Sequence, residues 1–136
     1  MSAPDSSETP PDVHFEFDHR RSAPREAREA IKPLFAPDDP LEEDVTLATS
    51  ELVSNVITHT DDGGTLDAWD PKPDVPLRVE VADTDSSPAA PVEVPPERGG
   101  MGLKIVDQLA DDWGVVPRED GKVVWAEFDR HKRDRS

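Results

Sequence analysis

Two stretches decide how this chain folds: ATSELVSNVITH (residues 48–59) and GGMGLKIV (residues 99–106). In the first, Glu51, Asn55 and His59 recur every four residues, so a helix aligns them along one stripe. In the second, Gly99, Gly100 and Gly102 run into an apolar helical pattern. A glycine-fronted helix start presents backbone N–H groups where anions bind well. Asp83 sits between the two stretches, at the end of the alternating run Leu77, Val79, Val81. A carboxylate, a carboxamide, a second carboxylate and such a helix start are the parts that a magnesium–nucleotide pocket needs.

Outward from these stretches, the rest of the chain reads as one α+β domain. Residues 1–11 (MSAPDSSETPP) are small, polar and proline-rich, the composition of a disordered tail. Val13, Phe15 and Phe17 alternate with polar residues, as in a strand with one buried face. Ser22 and Pro24 open a helix over about 24–34. A longer helix spans about 41–59, with Leu41, Val45, Ala48, Leu52 and Val56 on its apolar side and Glu42 and Glu43 in a first turn that favours acid. Residues 65–70 and 76–83 read as strands.

Residues 84–98, with four prolines and no period, read as an irregular loop of a length that is usually functional or disordered. A helix from Gly102 to about residue 112 follows. Val115–Val116 and Val123–Phe128 then make a hairpin. Hairpin-linked strands with helices on one side imply a two-layer sandwich, a mixed β-sheet covered on one face by three helices. The domain is expected to occupy 12–129, and residues 130–136 a frayed basic tail.

Composition limits the function. A length of 136 residues suits one core rather than two. A formal charge of −16 argues against nucleic acid, whose phosphates are gripped by Lys and Arg. No stretch approaches a membrane span of about 18 apolar residues. With no cysteine and no signal-peptide pattern, a cytoplasmic protein is expected. So acidic a domain would need Mg²⁺ to neutralise nucleotide phosphates.

Each candidate residue has two readings. Asn55 offers Mg²⁺ a hard oxygen ligand, or caps something locally. Glu51 accepts a proton from an attacking hydroxyl, or is a solvated helix former. His59 extends the stripe, or matches the helix dipole at its C-terminus. Asp83 accepts a bond from an adenine amine, or starts a turn. Gly100, Met101, Gly102 and Leu103 bring backbone close to a phosphate, or simply loosen the loop before a helix. The three tryptophans read as packing residues rather than a base-stacking platform.

In combination these segments resemble the nucleotide-binding domain of histidine kinases, DNA gyrase and related ATPases, the GHKL-type or Bergerat-type fold, over about residues 13–128. ELVSN matches that family's N box, which implies a catalytic Glu51 and a metal-binding Asn55. VADTDSSPAAP matches its first glycine box, implying that Asp83 binds adenine. Gly100-Met101-Gly102-Leu103 matches its second. The run GGMGLKIVDQLADDWGV is close to the compact branch of anti-sigma-factor serine/threonine kinases.

The resemblance implies ATP and Mg²⁺ as cofactors. It also implies a sigma factor or an anti-sigma-factor antagonist protein as partner, and a homodimer through the first helix and its neighbouring strand. The chain departs from the pattern twice. Asp-Thr-Asp-Ser-Ser-Pro replaces the wider DxGxG, and Val123 stands where relatives place a threonine near adenine. The rival expectation is a non-catalytic protein-binding module on the same fold. A detached histidine-kinase catalytic domain is disfavoured, because no long dimerisation helices are seen.

Overall fold

Side-chain alternation in the strands sorts this sequence into two layers. In the computed structural model, which describes residues 9–71, 75–83, 101–119 and 121–133, β1 (Val13–Phe17) pairs antiparallel with β2 (Gly64–Trp69). β2 pairs with β3 (Leu77–Asp83), β3 with β5 (Gly121–Phe128), and β5 with β4 (Asp112–Arg118). The order β1-β2-β3-β5-β4 is antiparallel at every step, so the expected α+β sandwich stands but its sheet is not mixed. The chain crosses from β3 to the rim strand β4 and returns by a hairpin into the gap, which makes each neighbouring pair run in opposite directions.

One face of this sheet carries Phe17, Leu66, Ala68, Leu77, Val79, Val81, Ala126 and Phe128, all buried. The helices cover it. In α1 (Ala23–Ile31), Ala23, Ala27 and Ile31 are buried at a spacing of four, and Pro24 occupies the first turn, where its missing N–H costs nothing. A single 3₁₀ turn, Lys32–Leu34, follows. In α2 (Glu42–His59) the buried stripe is Val45, Ala48, Thr49, Leu52, Val53 and Val56. Glu42, Glu43 and Asp44 in its first turn complement the dipole. Extended Thr60 ends it, with its hydroxyl donating to the Val56 carbonyl at 2.9 Å. Truncating a fully covered leucine such as Leu52, which is 2% exposed, is worth about 2–5 kcal/mol.

α3 (Met101–Leu109) ends three residues earlier than the sequence pattern suggested. The Asp111 amide already donates to the Glu127 carbonyl at 2.9 Å, and Asp112, Trp113 and Gly114 pair with β5. Strand pairing along β5 therefore takes over residues that apolar spacing had assigned to the helix. Pro117 lies within β4, at the rim of the sheet.

The C-terminal segment also departs from expectation. Arg130–Arg133 form a short helix, α4, instead of fraying. The Arg130 guanidinium reaches Asp70 and Asp39, whose side chains are 2% and 7% exposed. These carboxylates, Asp70 foremost, push the already high pKa of Arg130 further up.

The opposite sheet face is largely polar. Arg78 donates to Glu80 and to Glu127, both at 2.8 Å, and lies over the Trp125 ring at 4.5 Å. His14 donates to Asp67. A shallow groove of about 470 Å³ on this face is lined by residues that include Thr65, Asp67, Trp69, Glu80, Ala82 and Val123.

Candidate functional site

Glu51 and Asn55 stand one turn apart on α2, half-buried along one margin of its buried stripe. No hydrogen bond or ion pair joins either side chain to another described residue. The neighbouring Ser50 differs, because its hydroxyl donates to the Leu47 carbonyl at 3.0 Å. His59 is exposed in the last turn, as a dipole-matched end residue would be.

α2 packs against α3, whose first turn contains Met101, Gly102, Leu103 and Lys104. Leu103 is partly buried against the core and Lys104 is exposed. Gly99, Gly100, Arg98 and the expected loop over 84–98 lie outside the described residues. The helical backbone of Met101 and Gly102 is consistent with a helix start at this point.

Asp83 shares the parity of Val79 and Val81, so its side chain turns toward the helices, the layer that carries Glu51, Asn55 and α3. The carboxylate is 2% exposed. Burying a charge this deeply requires partners. The Lys122 amide donates to Oδ1 at 3.2 Å, and the Lys122 ammonium donates to Oδ2 at 2.7 Å. Gly121, at φ +125°, allows this approach, because a Cβ there would overlap Asp83 Oδ1.

Val123 is not the residue beside this carboxylate. It pairs with Ala82, and its side chain lines the groove on the outer face. A shift of one position along a strand moves a side chain to the other side of the sheet. Lys122 is the neighbour of Asp83 that sequence reasoning missed. The signal was present in the alternation of Val124, Ala126 and Phe128, which places residue 122 on their face.

The donor set suits a magnesium-bound adenine nucleotide. Asp83 is an acceptor-only carboxylate in a covered position, matched to an amine, and Asn55 supplies a hard oxygen. Among the described residues no group of three His, Cys, Asp or Glu could hold a metal by itself, so a cation here would share its coordination with phosphate oxygens. Among them, too, no helix is long and apolar enough to cross a membrane.

Known proteins bear on this arrangement in two ways. Residues 15–128 match the family described as the histidine kinase-like ATPase domain. Among solved structures, the fold is similar to the crystal structure of the RsbU and RsbW domains of Rv1364c from Mycobacterium tuberculosis, with a TM-score of 0.59 and 19% identity. That likeness covers 89% of this chain and 32% of the mycobacterial one, so the chain spans about a third of that protein's length. No curated protein matches in sequence. With the family match running over most of its length and the fold in agreement, the chain belongs to the histidine kinase-like ATPase domain family.

Proposed function

We propose that this domain, residues 12–129, is a Mg-ATP-dependent protein serine/threonine kinase acting as an anti-sigma-type regulator in the cytoplasm. Its partners would be a sigma factor or an anti-sigma-factor antagonist protein. The observation that carries the reading is the pair Glu51 and Asn55, without a partner among the described residues, on the helix layer toward which buried Asp83 turns.

In this reading Asp83 accepts the exocyclic amine of adenine, which selects adenine over guanine. Asn55 is a ligand of Mg²⁺, and the amides around Gly100, Met101, Gly102 and Leu103 bind phosphate at the start of α3. Glu51 orients the incoming serine or threonine hydroxyl and takes its proton. Bound Mg-ATP supplies the transferable phosphoryl group and the charge neutralisation. Phosphoryl transfer depends mostly on positioning and electrostatics, so this residue set is sufficient machinery.

A test combines the full chain, γ-labelled ATP and an antagonist protein captured from the native host. Label is expected on a serine or threonine of the antagonist. Glu51→Ala should abolish labelling while Mg-ATP binding persists in calorimetry; equal labelling by that variant would remove Glu51 from the mechanism.

A second reading is a non-catalytic module that sequesters its partner and binds nucleotide weakly. The Lys122 ammonium already held by Asp83 favours it. Absence of binding at millimolar Mg-ATP would leave only this alternative.

A further inference from the structure

We infer that Lys122 is a built-in competitor for the base-recognition site: its ammonium holds the carboxylate of Asp83 and must leave before an adenine amine can be accepted there. This inference rests on the proposed role of Asp83 as the adenine acceptor.

Three observations carry it. First, Asp83 has two distinct bonds to one residue. The backbone amide of Lys122 takes Oδ1 at 3.2 Å, and the side-chain ammonium takes Oδ2 at 2.7 Å. The amide bond is fixed by β5, so the carboxylate stays oriented when the ammonium departs. The ammonium bond is charge-assisted, and of the two it is the one that a neutral amine has to replace.

Second, the partners differ in exposure. The Asp83 side chain is 2% exposed, whereas that of Lys122 is 41% exposed. The lysine can withdraw into water on its flexible stem, and the carboxylate cannot follow. Only one member of the pair reaches solvent to any extent, which makes Lys122 the displaceable group.

Third, Gly121 and the strand register leave no ambiguity about which side chain faces Asp83. A Cβ at position 121 would collide with Oδ1, and Val123 turns to the outer face. Among the described residues of the β4–β5 turn region, Lys122 is thus the side chain that competes for this acceptor.

Displacing a charge-assisted bond with a neutral one weakens binding by an amount on the order of tenfold. The site would then fill only at high nucleotide concentration, with Lys122 setting the threshold.

The test is isothermal calorimetry on the full chain with Mg-ATP and with Mg-ITP, which carries an oxygen in place of the 6-amino group. Lys122→Met keeps the aliphatic stem and removes the ammonium; Lys122→Thr substitutes a short hydroxyl donor and guards against misfolding of the first variant. Both are expected to bind Mg-ATP about tenfold more tightly than the native chain, with no gain for Mg-ITP. Unchanged or weaker Mg-ATP binding in folded variants would overturn the competitor role, and weaker binding would assign Lys122 to base reading instead. Adding Asp83→Asn to Lys122→Thr separates competition by Lys122 from adenine recognition by Asp83. Full retention of Mg-ATP affinity in that double variant would remove Asp83 from adenine recognition, and the competitor with it.

Discussion

Arg130 grips Asp70 with both of its terminal nitrogens: Nη1 donates to Oδ1 at 2.8 Å and Nη2 to Oδ2 at 3.0 Å. The same guanidinium reaches Asp39, ahead of α2, with Nη2 at 2.8 Å from Oδ2. One side chain at the end of the chain thereby fastens the end of β2 to the approach to the longest helix. Such planar forks are a property of arginine that lysine does not share.

Arg130→Ala is accordingly expected to lower unfolding stability by about 2 kcal/mol, because two covered carboxylates lose a charged donor. Urea denaturation checks it. Arg130→Lys should recover less than half of the loss, since the bidentate contact cannot be rebuilt.

Thr49 offers the opposite sign. It is fully buried on α2, and its hydroxyl has no hydrogen-bond partner among the described residues. Thr49→Val keeps the shape and removes the orphaned polar atom, so stability should rise by about 1 kcal/mol. The readout is an increased thermal midpoint, and a decrease would show that the hydroxyl is satisfied in solution.

Gly121→Ala tests the turn beside Asp83. The added methyl meets Asp83 Oδ1, and φ +125° is disfavoured for alanine. A loss of about 2 kcal/mol or more is expected, together with loss of Mg-ATP binding in calorimetry. Gly114→Ala is a useful contrast, because there the methyl would press on the Trp125 ring and leave Asp83 untouched.

His14 supplies a pH dependence. Its bond to Asp67, and secondarily its contact with Glu16, raise its pKa above 6.5. A group with a raised folded-state pKa contributes stability that is fully present below its unfolded pKa and is lost as pH rises through the folded value. The stability difference between the native chain and His14→Gln should therefore be largest below pH 6.5 and fade as pH rises above it. Asp67→Asn should move the His14 titration, followed by NMR, back toward 6.5.

Much of this architecture was legible because its periodicities are local. Ala48, Leu52 and Val56 announce α2, and Val79 and Val81 announce β3, since burial on one face imposes those spacings. Three features were not legible for reasons of distance or register. The end of α3 is decided by β5, which takes up Asp112 and Trp113 from far along the chain. Lys122 and Val123 differ by one position, and only the register of β5 against β3 decides that Lys122 is the one facing Asp83. Arg130 looked like part of a charged tail because its carboxylates lie 60 and 91 residues away. Of the candidate site, Glu51 and Asn55 could be nominated from helical spacing, but the engagement of Asp83 by a lysine could not.

Pro117 has a consequence for the company this molecule keeps. A rim strand is an open invitation to another chain, because its outward amides and carbonyls can template further pairing. Proline has no amide hydrogen to offer, and it interrupts any continuous ladder that a newcomer could build along β4. With a formal charge of −16 repelling like molecules, the sheet is guarded on that border against growing into a fibre.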